Sequence, residues 1–431
     1  MQTNEQERLA SRPHRPRFDS KRGRGQRKQP VSARRLAKRK RHLALETLDA
    51  RRLLAGDMSI VNTTSAAGPP VGATASENSE VLLGRVAVTP VFLESNGNID
   101  TETQNWTPEE IQSVMDKIIA SGDWWVETLE ELNTVHTLEF VYDDGFATTP
   151  FSTSYEGIDR NSEGYLQFAP EFYTAQGYDG NDLRRAGEQF NNDQRALLDT
   201  DWAFTIFVVD SSDDPDGFFA PGGSFRGAFA VTNGPFYVVP SGRPTSTFAH
   251  ELGHIFWAFD EYLGGDSSTS ARGYYNEPNS NGLRDAAPGF QPEPSIMADG
   301  LSLQTAFEQN TSPASTLAHV GWKDSDGNGI FDFADVPLHL EGNGRIEFDE
   351  GGAPQFSFNG SARAVAAPNQ NSDGRMSDIT LNRVSEIQYR FGESDWITVA
   401  SPDTQMADIQ FSIPIPVNRT QAIHIRAIDT R

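Results

Sequence analysis

No cysteine occurs among the 431 residues. Disulfides, thiolate metal sites and cysteine nucleophiles are excluded together, so apolar burial, polar networks or metal ions held by nitrogen and oxygen must stabilise the fold. Apolar residues supply 37% of the chain, enough for globular cores. At roughly 150 residues per domain the length suggests two or three of them. No run approaches the length of a membrane-spanning helix, about 18 apolar residues.

The net charge of −24 joins two opposite parts. Residues 1–53 hold 17 Lys and Arg against 5 Asp and Glu, leaving 19 against 55 for the remainder. A body that acidic repels phosphate backbones, which argues against nucleic-acid binding. The basic block of residues 8–41 shows no apolar periodicity and reads as a solvated tail. The segment Leu43–Gly56, amphipathic and ending in small residues, follows it. This segment resembles a bacterial leader, written Leu-Glu-x-Leu-Glu-x-Arg-x-Leu-Leu, of large exported and surface proteins. The resemblance implies a secreted or cell-surface bacterial protein and sets residues 1–56 apart from the fold. Residues 57–80, rich in small residues, read as a disordered linker.

From Val81 the chain alternates element types. A strand is expected at Val81–Leu93, and Thr107-Pro-Glu-Glu110 opens a helix, with Thr107 as cap and Glu110 completing a capping box. Strands follow at His136–Tyr142 and Trp202–Val209. Gly227–Val239 reads as two short strands about an Asn233-Gly234 turn. This order points to a layered α/β domain with a mixed sheet over residues 81–322. Residues 337–431 carry seven short strand candidates separated by turn residues, including Ser377–Leu381, which suggests an antiparallel sandwich. Its texture loosely resembles bacterial immunoglobulin-like surface modules.

The chemistry concentrates in Ser246-Thr-Phe-Ala-His250-Glu251-Leu-Gly-His254-Ile-Phe-Trp257-Ala-Phe-Asp260-Glu261-Tyr262. On a helix His250 and His254 share one face about 6 Å apart, a spacing at which two imidazoles reach one zinc ion. Glu251 can then face a metal-activated water as general base. A third ligand requires the helix to turn. The spacing and Pro294-Ser-Ile-Met297-Ala-Asp299 together resemble metzincin metallopeptidases, in the snapalysin-like and IgA-peptidase-like forms where Asp stands third. The resemblance implies a zinc endopeptidase in which His250, His254 and Asp260 bind zinc and Met297 forms the Met-turn. It also implies a substrate-binding edge strand within Gly227–Val239.

Two positions depart from that pattern: Trp257 stands where Gly is usual, and Asp299 where several relatives have Tyr. Glu261 and Glu277 therefore remain alternative third ligands. A catalytically inactive adhesion or scaffold protein is the alternative function, and a carbohydrate-binding module a third reading.

Residues 323–336 form a second motif. Asp324, Asp326, Asn328, the Ile330 carbonyl, Asp332 and Asp335 fall at the oxygen positions of a twelve-residue calcium loop. The loop resembles those of dockerins, and calcium there is expected to act as a structural staple.

Overall fold

The computed structural model describes residues 69–430, except Glu102 and residues 417–420. The leader expected at residues 1–56 and the start of the expected linker lie outside the described residues. The first half runs β1 (Gly84–Ser95), α1 (Pro108–Glu131), β2 (Leu138–Tyr142), α2 (Gly145–Thr148), β3 (Phe151–Thr153), α3 (Tyr165–Ala175), α4 (Leu183–Leu198) and β4 (Trp202–Val209). Next come β5 (Phe229–Ala230), β6 (Phe236–Pro240), α5 (Thr245–Ile255), the small hairpin β7 (Ala271–Arg272) and β8 (Glu277–Pro278), α6 (Gly300–Glu308) and α7 (Ala314–His319).

The main sheet has the order β2-β1-β4-β6-β5, with β3 pairing the end of β1. All pairings are parallel except that of β5 with β6, which leaves an antiparallel strand at one edge. Every residue of β4 is buried, as expected of a strand covered on both faces. Phe204, Ile206 and Val208 point into a core shared with α1 and α5, while Phe207 and Val209 point into an aromatic core under α3 and α4. The result is a three-layer arrangement.

The helix entry follows the expected capping box: Glu110 N donates to Thr107 Oγ1 at 3.2 Å, and Thr107 N donates back to the Glu110 carboxylate at 2.8 Å. Trp125, on the buried face of α1, donates from Nε1 to the Ala249 carbonyl at 3.0 Å. That bond fastens α1 to the helix carrying the two histidines.

Two expectations about boundaries change. Residues 69–80 are not a free linker, because Glu77, Asn78, Ser79 and Glu80 are all buried. Their backbone is satisfied by Arg195, itself fully buried, which donates to the carbonyls of Glu77 at 2.7 Å and Thr74 at 2.8 Å. Among its described residues the second half holds six strands rather than seven: β9 (His339–Phe348), β10 (Pro354–Arg363), β11 (Val384–Phe391), β12 (Ile397–Ala400), β13 (Met406–Pro414) and β14 (Ile423–Asp429). They form two antiparallel three-stranded sheets, β13-β10-β9 and β12-β11-β14. Phe358, Ile387 and Phe411 pack in the small core of these strands. Ser377–Leu381 is not among the strands. Ile379 and Leu381 instead enter the core of the first half, and Thr380 N donates to the Val71 carbonyl at 3.0 Å. Among the described residues no helix is long and apolar enough to cross a membrane.

Candidate metal centre

Helix α5 follows β6 through Pro240–Pro244 and buries every residue from Ser246 to Ile255. It ends directly after His254. Trp257 N donates to the His254 carbonyl at 3.2 Å and Ala258 N to the Gly253 carbonyl at 3.0 Å, turning the chain back on itself. The turn passes through the left-handed region at Trp257, φ +77°. A bulky residue there costs about 1–2 kcal/mol of backbone strain, which burial of the indole offsets. The turn needs the conformation that glycine supplies elsewhere, but a packed tryptophan holds it.

This turn delivers Asp260 to the histidines. Nε2 of His250 and Nε2 of His254 lie 3.1 Å apart, and Asp260 Oδ1 lies 3.2 and 3.1 Å from them. His250 Nδ1 is 2.9 Å from the Ile296 carbonyl and His254 Nδ1 is 2.8 Å from the Ala258 carbonyl. A carbonyl only accepts, so both Nδ1 atoms carry protons, and in the neutral rings both Nε2 atoms present lone pairs. Three acceptors thus face one another. An unfilled cluster of this kind is repulsive, whereas a cation at its centre satisfies all three. The sides match a face of a tetrahedral site, whose edge is about 3.3 Å for metal–ligand bonds of about 2.0 Å. Among the described residues, His250, His254 and Asp260 are the His, Asp or Glu ligands brought together in this way, and the group could hold a metal ion.

Asp260 is oriented by its other oxygen, Oδ2, which accepts from Asp266 N at 3.0 Å. Burial favours its neutral form, but the adjoining imidazoles hold the carboxyl well below the usual range. Burial likewise opposes charge on His254, and Asp260 overcomes it and raises the imidazole. Glu251, beside the triangle, is pushed up to about 8 by burial, with His250 and Arg243 opposing the rise and Asp260 adding to it. Its Oε2 has no hydrogen-bond partner.

No known protein family matches the chain, and no curated protein is significantly similar to it. The chemistry open to the site follows from its own atoms.

Both alternative ligands are committed elsewhere. Glu261 accepts from Thr316 Oγ1 at 2.6 Å and Asn281 Nδ2 at 2.7 Å. Glu277 pairs with Lys323 at 2.7 Å. Met297 is fully buried against α5, and a Cβ built on Gly253 would lie 2.7 Å from its Sδ. Asp299 lines the cleft over the cluster.

That cleft, about 510 Å³ in volume, also contains residues that spacing alone does not single out: Arg243, Tyr262 and Arg272. The Tyr262 ring lies 6.2 Å from that of His250, and burial, then Asp260, raises its phenol above the ordinary range. Its place directly after Asp260-Glu261 was the available signal. Arg243, immediately before the cap of α5, had none.

In the second motif Asp324 receives the backbone N–H groups of Gly327, Asn328 and Gly329 at 2.8–3.2 Å. Gly327 and Gly329 supply positive φ at +73° and +85°. Asn328 Nδ2 lies 3.2 Å from both Asp326 and Asp335, so these three side chains converge. Asp332 instead accepts from Ser325 N at 2.8 Å and Ser325 Oγ at 2.6 Å. The loop is anchored by Phe331 and Phe333, both in the first core.

Proposed function

We propose that the chain is a secreted zinc-dependent endopeptidase. The observation that carries this reading is the triangle of three inward-facing acceptors, 3.1–3.2 Å on each side, in an open cleft beside Glu251. Four-coordinate sites with three protein ligands and a free position are the catalytic form of zinc binding. Zinc held by His250, His254 and Asp260 would supply Lewis acidity, polarising a carbonyl and lowering the pKa of a water. Ile296 and Ala258 keep the two Nδ1 protons in place, so the Nε2 atoms stay directed inward. Glu251 takes the proton of the attacking water on its carboxylate and delivers one to the leaving amine. Strand β5 pairs on one side only, and its open edge suits an extended peptide added as a further strand.

For the loop of residues 323–336 the motif spacing supports a structural calcium ion on Asp324, Asp326, Asn328, Asp332, Asp335 and the Ile330 carbonyl, of which Asp326, Asn328 and Asp335 converge. Asp332 is bonded to Ser325. The leader-like segment within residues 1–56 supports a secreted or cell-surface location.

The test is cleavage of an unfolded protein by the zinc-loaded chain, beside Glu251→Gln at equal zinc content. Wild type should cleave, and the variant should lose roughly 100-fold or more while keeping its metal. Zinc bound without cleavage in either protein would instead make this a metal-holding scaffold.

A further inference from the structure

Three arginines line the cleft, and they differ in what they touch. Arg226 faces Asp216 at 3.4 Å and lies 5.3 Å from the centre of the Phe218 ring. Arg272 lies 3.6 Å over Phe259, with Asp266 at 3.4 Å and Asp373 at 3.6 Å. Arg243 lies over the same Phe218 ring, 4.5 Å from its centre. It has no carboxylate within ion-pair distance among the described residues, and its buried Nε, like that of Arg272, has no hydrogen-bond partner. In a chain with 60 acidic residues against 36 basic ones, this half-buried guanidinium has no acid in contact, and Glu251 acts on it only through space. Aromatic stacking fixes the plane of the group and leaves its N–H fork for a ligand. The adjoining end of α5, capped by Pro244 without a side-chain acceptor, adds positive potential at the same place.

We propose that Arg243 is a specificity-determining residue that binds a carboxylate of the peptide lying in the cleft. The planar fork matches a carboxylate in two parallel hydrogen bonds, and Arg226 and Arg272, already neutralised, do not compete for it. The inference rests on the peptidase reading and deepens it, naming acidic peptides as the substrate class. The carboxylate has two sources, an acidic side chain near the cleaved bond or the free C-terminus of a short peptide.

The test uses the full zinc-loaded chain with matched peptide sets of one cleavable sequence. Glu or Gln is placed at each position in turn, and each peptide is made with a free or an amidated C-terminus. At one position the Glu peptide should exceed its Gln counterpart in kcat/KM by roughly tenfold or more, a preference that Arg243→Gln abolishes and Arg243→Lys retains in part. If the preference follows the free C-terminus instead, the carboxylate source is the chain end. Equal cleavage of every Glu and Gln pair, free and amidated, overturns the proposal. So does an Arg243→Gln variant that loses activity equally on all peptides. Calorimetric binding of the same peptides to Glu251→Gln protein is the second readout. There, tighter binding of the acidic peptide that vanishes in the Arg243→Gln, Glu251→Gln double variant supports the proposal, and equal affinity refutes it. Absence of cleavage by wild type alone rejects the peptidase reading and leaves the binding comparison to decide Arg243.

Discussion

The backbone N–H of Glu261 donates to the carbonyl of Met297 at 2.8 Å, pinning the residue after Asp260 to the segment beneath the two histidines. The carboxylate of Glu261 is buried and bonded to Thr316 and Asn281. Glu261→Ala would strand both partners and should cost about 2–4 kcal/mol, read as a lower urea midpoint. Metal content separates the neighbours. Glu261→Gln should retain the ion, and Asp260→Ala should lose it; the reverse pattern would assign the third ligand to Glu261.

Gly265 guards the orientation of Asp260. A Cβ at this position would meet Asp260 Oδ2 at 2.5 Å and its Cβ at 2.6 Å. Gly265→Ala should therefore displace the carboxylate and weaken metal affinity by roughly 10- to 100-fold, as loss of a supporting contact does. Competition with a metal-binding dye measures it. Unchanged affinity would mean that Asp260 needs no such support.

Gly253, between the histidines, is held by packing rather than by its dihedral angles. Alanine is favoured over glycine in a helix by about 1 kcal/mol. Here its Cβ would press on Met297 Sδ at 2.7 Å and on Trp125 at 3.2 Å. Overpacking of this kind costs about 1–3 kcal/mol, so Gly253→Ala should lower the denaturation midpoint. A raised midpoint would show that Met297 moves freely.

Glu156 gives the stability a pH dependence of defined sign. Burial pushes its carboxyl up to about 7 from 4.5, although Gln104 N donates to it. The folded chain then keeps a proton that the unfolded chain has released. This contribution is complete below about pH 4.5 and is lost as pH rises through about 7. Glu156→Gln keeps an acceptor for Gln104 and removes the titration. Relative to wild type, the variant should gain stability at pH 8 over pH 5, measured by urea midpoints at both values. A difference independent of pH would refute a raised carboxyl.

Local signals in the sequence located much of this arrangement. The capping box at Thr107 and Glu110, the apolar run of β4 and the shared face of His250 and His254 all depend on residues within a turn or two of one another. Contacts between distant segments were not legible. Glu77-Asn-Ser-Glu80 has the polarity of a linker, and partners more than a hundred residues away, Arg195, Ala203, Asn233 and Ser377, make its burial tolerable. Ser377–Leu381 alternates like a strand, yet its apolar residues fill the other half's core. Arg243 belongs to no motif, and its interest comes from its place in the cleft without an ion-pair contact.

Ser377 Oγ donates to Glu77 Oε2 at 2.9 Å across 300 residues of sequence. A chain emerging N-terminus first meets its two halves of this contact at widely separated times. The core around α1 and α5 stays open on that side until Ile379 and Leu381 arrive. A segment lying between strands of the second half thus completes the first core, which closes only after residues 379–381 have been made.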